Sequence, residues 1–132
     1  MQVDRIHRWL SECSHWSKGI PFNTVEAMVS NSFCVGVFYY GQQIGFARLI
    51  TDYTAIAYLA DVYVEEDHRG RGLSKRMMEV IMSEPWVKNL RRLFLSTKDA
   101  HGLYAQYGFT PIRYPERMME ILHIDQYQQN KT

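Results

Sequence analysis

Val62-Tyr63-Val64-Glu65-Glu66-Asp67-His68-Arg69-Gly70-Arg71-Gly72-Leu73-Ser74 joins an apolar strand to a basic helix through an acidic run and two glycines. Glycine lacks Cβ, so successive amides at such a joint can face one concave site. The free N–H groups and positive end of the following helix then favour an anion, typically a phosphate. Arg69, Arg71, Lys75 and Arg76 ring the joint with cations. The plainer alternative is a tight turn with a solvated basic rim. A dinucleotide fingerprint needs a third glycine where Lys75 stands, and no GxxxxGK[ST] loop occurs, so neither nucleotide motif is present.

The surroundings narrow the class. The chain has 132 residues, 46% apolar and 22% charged, which suits one globular domain over residues 1–132. That length can bury about two-thirds of the unfolded surface, so no disulfide or metal staple is needed. Fifteen basic and fourteen acidic side chains leave +1, which argues against nucleic acid as a partner. Any anion must therefore be met by local geometry. Cys13 and Cys34 have neither metal-ligand nor CxxC spacing, and their apolar contexts suggest buried free thiols in a reducing cytosol. Asp4 and Arg5 come at once with no apolar run behind them, so no signal peptide is visible. The uncharged stretch from Ala27 to Ala47 is interrupted by Ser30, Asn31, Ser32 and Gly41, and fits a hairpin better than a membrane span. A cytoplasmic location off the membrane is expected.

Ile6, Trp9, Leu10 and Cys13 lie at helical spacing behind a candidate cap at Asp4, and a second helix runs from Pro21 or Asn23 to Ser30. Phe33–Tyr40, Gln43–Thr51 and Ala55–Val64 read as an antiparallel meander with turns at Gly41-Gln42 and Asp52–Thr54. After the glycines, Leu73, Met77, Val80 and Ile81 mark one helix face, and Pro85 ends it. Arg92–Ser96 reads as a strand. Asp99 can cap a helix over 100–107, which Gly108 terminates. Phe109 and Met118–Ile124 read as closing strands, and the tail from Gln126 is expected to fray. The order implies a mixed α/β domain.

Downstream, Asp99-Ala100-His101-Gly102-Leu103-Tyr104-Ala105-Gln106-Tyr107-Gly108-Phe109 embeds a Leu-Tyr pair in a short helix ending on Gly-Phe. With Val62-Tyr63-Val64 leading into Arg69-Gly70-Arg71-Gly72, the chain resembles the GNAT superfamily of acyl-CoA-dependent N-acyltransferases. The first stretch matches its Q/R-x-x-G-x-G/A motif and the second its LYxxxGF motif. Gly45-Phe46-Ala47-Arg48 through Thr51-Asp52 further resembles a subgroup of small bacterial members. Two positions depart from the pattern: Ser74 stands where Gly or Ala is usual, and Thr97 replaces an Asn found seven residues before the tyrosine.

The resemblance implies a mostly antiparallel, twisted central sheet with splayed middle strands and about four flanking helices. It implies acetyl-CoA as cosubstrate, direct attack by an amine of a small molecule or peptide, and no metal. On that template the Val62, Tyr63 and Val64 strand takes the pantetheine arm, and Arg69, Gly70, Arg71, Gly72, Leu73, Ser74 and Lys75 take the pyrophosphate. Thr97 falls at the side-chain contact to pantetheine, and Tyr104 is the general acid. Its phenol stays protonated at neutral pH because its reference pKa is about 10. Tyr104 has the alternative of a core aromatic, and Tyr107 reads as packing. Trp16, Phe46, Arg48 and Asp61 are candidates for the acceptor site, with Phe22 and Tyr53 as further lining. Arg48 emerges from an apolar strand and needs a partner, either an acceptor carboxylate or Asp52 or Asp61. Asp61 could also serve as base, whereas Glu65, Glu66 and Asp67 read as a solvated rim. The competing function is a catalytically weak acyl-CoA-binding module, and apolar end strands would allow a homodimer.

Overall fold

A computed structural model describes residues 1–128. Helix α1 (Val3–Arg8) runs into a π-helical turn at Trp9–Cys13, and α2 spans Phe22–Ser30. Strands β1 (Phe33–Tyr39), β2 (Gln42–Thr51) and β3 (Ile56–Val64) follow. Then come α3 (Leu73–Ser83), α4 (Pro85–Lys88), β4 (Arg92–Leu95) and α5 (His101–Ala105). The sheet order is β1-β2-β3-β4, antiparallel except for the parallel β3–β4 pair. The expected mixed α/β fold, mostly antiparallel and flanked by helices, is the fold observed.

The β1–β2 turn falls on Tyr40 and Gly41, one residue earlier than expected, with φ of 50° and 78°. Two positive φ values in succession match the twist of the flanking strands, so the hairpin closes tightly. Strand β2 is buried without a break from Gln43 to Leu49. A strand enclosed on both faces must carry a layer on each. On one side Ala47 and Leu49 meet Met77, Met78 and Ile81 of α3. On the other, Phe46 meets Ile6, Trp9, Leu10, Ile20 and Val25 from the N-terminal helices. Gln43 is fully buried between these layers and hydrogen-bonded: its Oε1 accepts from the Gln2 N–H (2.7 Å) and its Nε2 donates to the Gly45 carbonyl (3.0 Å).

Several local expectations shift. The α3 face centres on Ile81 and reaches Met78, while Val80 is 47% exposed on the other flank. Pro85 ends α3 and also opens α4, where its missing N–H costs nothing at a first turn. Asp4 lies inside α1, whose N-terminal flank is Gln2. Cys13 is exposed and Cys34 half-buried, so the pair of buried thiols is not observed. Glu65 is no solvated rim residue: the Arg5 guanidinium binds it at 2.6 Å and pins α1 to the end of β3. Phe109 and Met118–Ile124 form no strands, and Met119, Ile121 and Leu122 lie in solvent. Of the tail expected to fray, Tyr127 packs on the N-terminal cluster, and residues 129–132 lie outside the described part.

Among the described residues, the polar interior carries one buried ion pair. Arg48 Nε donates to Asp61 Oδ2 at 2.6 Å, with the side chains 8% and 2% exposed. Removing one partner leaves the other charged and unpaired, so Arg48→Ala should cost about 3–5 kcal/mol in urea unfolding. The double change Arg48→Met with Asp61→Leu should recover most of that loss. In the α3 layer, Ile81→Ala should cost about 2–5 kcal/mol by the same measurement, because the site is closed on all sides.

Candidate active site

Strand β3 pairs with β4 only through Ile56–Leu59. The β2–β3 register slips at the same point, with Leu49 opposite Leu59 but Arg48 opposite Asp61, so Ala60 is an extra residue on β3. Such a bulge bends its strand and increases the local twist. Past it, Asp61–Val64 keeps β2 as a neighbour and has no β4 beside it. The Glu65 N–H donates to the Ile44 carbonyl (2.8 Å), so strand alternation turns the backbone of Val62 and Val64 to the open edge. One of those groups is already engaged: Arg69 Nε donates to the Val64 carbonyl at 2.9 Å. The N–H of Val64 and both groups of Val62 face the gap.

The glycine joint stands at the mouth of this gap. Gly70 and Gly72 have φ of 79° and 74°, a region costly for any residue with a Cβ. Beyond the adjoining residues, no described atom lies within 4 Å of where either Cβ would stand, so the space over the loop is open. Helix α3 makes its first backbone bond from Arg76 N–H to the Gly72 carbonyl (3.0 Å). The amides of Leu73, Ser74 and Lys75 therefore lack partners within the helix. A groove of about 360 Å³ runs over them, bounded by Val64, His68, Arg69, Gly70 and Leu103. A positive helix end with unpartnered amides favours an anion over a cation.

The arginines differ in role. The Arg69 guanidinium sits 5.4 Å from the centre of the Tyr63 ring, which itself stacks on Trp9 at 5.0 Å. Burial, with the Cys13 thiol beside it, pushes the Tyr63 phenol up to about 12. Tyr63 thus points into the N-terminal layer and braces Arg69 from below. Arg76 leans along α3 towards Glu79 at 3.9 Å. Arg71 is exposed and does not line the groove. His68 was not singled out in the sequence, yet its ring lines the groove and its Nδ1 is buried without a partner among the described residues. Its place between the acidic run and Arg69 was the available signal.

On the far side of the cradle lies α5. Thr97 Oγ1 accepts the Ala100 N–H at 3.1 Å in the turn ahead of α5; Ala100 stands at the cap position and no side chain caps the helix, so the expected cap at Asp99 is not observed. Leu103 faces the cradle, while Tyr104 and Thr97 border a second groove along β4. Tyr104 is 8% exposed and meets Phe109 edge-on, and burial raises its phenol above the ordinary value. Tyr107 Oη donates to the Lys75 carbonyl at 3.2 Å and ties α5 to the cradle.

Of the acceptor candidates, three meet. Asp61 accepts from Arg48 Nε through Oδ2 and from Trp16 Nε1 through Oδ1 (2.9 Å), and Arg48 also donates to Ser32 Oγ (3.2 Å). Trp16 is 49% exposed, so the cluster reaches the surface through its indole. Phe46 is only 1% exposed, deep among the N-terminal helices, and does not join it. Phe22 packs on His7, and Tyr53 packs on Phe33 and Trp86 at the β2–β3 turn, the opposite end of β3 from the glycines.

The chain matches the description "Acetyltransferase (GNAT) family" over residues 3–109. A crystal structure of a provisionally assigned GNAT acetyltransferase from Xanthomonas campestris pv. campestris is 46% identical, with a TM-score of 0.95 over 98% of this chain and 91% of that one. A Gibberella zeae protein with the provisional name acetyltransferase FG08082 is 28% identical over 80% of this chain and 71% of its own. A GNAT acetyltransferase from Elizabethkingia anophelis, solved with acetyl-CoA bound, shares the fold at 15% identity, a TM-score of 0.56, and 74% and 70% coverage. The open strand edge, the amide cradle and the helix beyond it thus belong to a member of the GNAT acetyltransferase family.

Proposed function

We propose that this chain moves an acetyl group from acetyl-CoA to a primary amine of a small molecule or peptide, by direct attack with both substrates bound. The observation that carries the reading is the unpaired edge of β3 at Val62 and Val64 leading straight to the free amides of Leu73–Lys75. An extended amide-bearing arm fits the first, and a pyrophosphate fits the second. The space over Gly70 and Gly72 is open, so a phosphate can come close to the loop backbone there.

Each part then has a task. Val62 and Val64 align the pantetheine arm through backbone bonds. The free N–H of Val62 is placed to stabilise negative charge that develops on the thioester oxygen. Gly70–Lys75 hold the diphosphate, and Arg69, already braced by Tyr63 and the Val64 carbonyl, offers its remaining N–H groups. Tyr104 donates a proton to the departing sulfur; its raised phenol keeps that proton through the neutral and mildly alkaline range. Thr97, whose oxygen accepts the Ala100 N–H, retains a hydroxyl proton to donate. Trp16 and the Arg48–Asp61 pair form the acceptor wall behind the bulge.

A second reading has its own observation. Both Asp61 oxygens are engaged by Arg48 and Trp16, so this carboxylate is poorly placed to take a proton. A catalytically weak acyl-CoA-binding module would show the same cradle without a base. Thiol release over a panel of amines, run beside Tyr104→Phe, separates the two. For the enzyme, the variant should lose about 10²-fold or more in kcat while its Kd for acetyl-CoA holds. No turnover with any amine, alongside tight binding, would favour the module.

The pH dependence has a definite sign. Burial raises Tyr104, so any stability it lends is complete below the unfolded value of about 10 and is lost as pH rises through the higher folded value. The alkaline limb of kcat assigned to Tyr104 should accordingly lie above pH ~10 and vanish in Tyr104→Phe. Gly72→Val should weaken CoA binding at least about tenfold by calorimetry. It should also cost about 1–2 kcal/mol of stability, because φ of 74° is left-handed backbone.

A further inference from the structure

The two faces of the sheet are covered unequally. Leu49, Ala57 and Leu59 lie under α3, with Leu93 and Leu95 packed beside them. Cross-strand partners share a face, so the register assigns the opposite side. There Ile50 stands against Tyr58, Tyr58 against Phe94, and Ile56 against Arg92. The N-terminal helices cover this side only at the end holding Phe46 and Tyr63. At the other end Ile50 is 47% and Ile56 43% exposed, and the Tyr58 and Phe94 rings meet at 4.9 Å. None of these four belongs to either core.

The Arg48–Asp61 pair and the Trp16 indole mark the border between the covered and open ends. Asp61 holds Trp16 at its Nε1, yet the indole side chain remains 49% exposed. An aromatic fixed by a hydrogen bond and left half in water is a pre-organised contact. The open end also adjoins the position proposed for the acetyl group. Tyr58 lies four residues along β3 from Val62, about 13 Å on a strand. Helix α3 fills the other face, so an amine reaches the gap across this one.

Charge then selects the acceptor. Of the five open-end residues only Arg92 is charged, and its guanidinium meets Met118 Sδ (4.0 Å) and no acid among the described residues. Asp61 is neutralised by Arg48, and Asp52 in the turn beyond accepts the N–H groups of Thr54, Ala55 and Ile56. A second ammonium on the acceptor would find no free counter-charge on this face and would approach Arg92. A ring or branched alkyl group would instead bury apolar surface on Tyr58, Phe94 and both isoleucines. Cation–π attraction at exposed rings is small beside that burial.

Resting on the acetyl-transfer reading above, we propose that the acceptor is a monoamine with an apolar, aromatic body, held over Ile50, Ile56, Tyr58 and Phe94 with Trp16 at its amine end. The sheet face thereby discriminates against polycationic amines.

Thiol release from acetyl-CoA is compared for phenylbutylamine and hexanediamine, two amines of similar length. The ratio of kcat/KM should favour phenylbutylamine at least about tenfold. Ile50→Asp sets an acid on the open face at a position already in water. It should erase that preference through KM, with circular dichroism and the Kd for acetyl-CoA unchanged. A preference for the diamine in the unaltered protein overturns the proposal, as does a ratio that Ile50→Asp leaves in place. A halved mass in light scattering for Ile50→Asp also overturns it, since the face would then join two copies. Release with no amine at all would defeat the acetyl-transfer reading, and calorimetry would then judge the face separately. Phenylbutylamine titrated into the CoA-loaded protein should bind, and bind more weakly to Ile50→Asp; absent binding, or binding the change does not weaken, overturns the proposal.

Discussion

Between Leu59 and Asp61 the third strand gains one residue on β2 and loses its parallel partner β4. Nearly every functional feature depends on that single divergence. Were β3 paired with β4 to its end, the backbone of Val62 and Val64 would be consumed in a ladder and the glycine joint would open onto nothing. The bulge at Ala60 twists the strand away, and the ion pair between Arg48 and Asp61 fastens the residue just after the bulge back to β2. The opening is therefore held rigid on its β2 side and unpaired on the other, which is what a site for an extended ligand requires.

The polar groups around the opening serve mainly to position one another. Arg69 spends one N–H on the Val64 carbonyl and rests on Tyr63, which rests on Trp9. Arg5 reaches Glu65 at the end of β3 and fixes α1 across the base of the loop. Tyr107 ties α5 to Lys75 from the opposite side. The cradle is thus braced by three parts of the chain that are remote in sequence. A molecule with a net charge of only +1 can thus concentrate positive potential at one joint. The positive end of α3 and the free amides supply the local potential, and the cations nearby are individually steered.

How much of this could be read from the residues alone varies with the range of the interaction. The strands β1, β2 and β3, the helix α3 and the glycine joint were legible because each is set by neighbours in sequence: alternation, helical spacing, turn residues. Helix α5 is legible, but not its start: Ala100 stands at the cap position with no side-chain cap, and the Thr97 hydroxyl takes the Ala100 N–H in the turn before it. Asp99 is a good cap by residue type, and only the path of the backbone decides that it does not serve as one. On α3 the inward face includes Met78 and leaves Val80 out, a rotation fixed by the sheet beneath it. Phe46 was placed with the acceptor residues and lies among the N-terminal helices. It follows Gly45 on a strand buried on both faces, where alternation alone cannot say which layer a residue enters.

The sequence by itself determined the local chemistry: two glycines ahead of a basic helix, an embedded tyrosine, an arginine on an apolar strand in need of a partner. These are short-range requirements that the backbone imposes wherever such residues occur. Only the tertiary structure decided which partner Arg48 takes, that Glu65 belongs to Arg5, and that one Val64 group is already used. It also decided that Met118–Ile124, a strand by composition, stands away from the sheet while the outer edge of β4 is left unpaired among the described residues. Strand pairing is a contact between distant segments, and hydrophobic pattern says that a segment must find an edge without saying which.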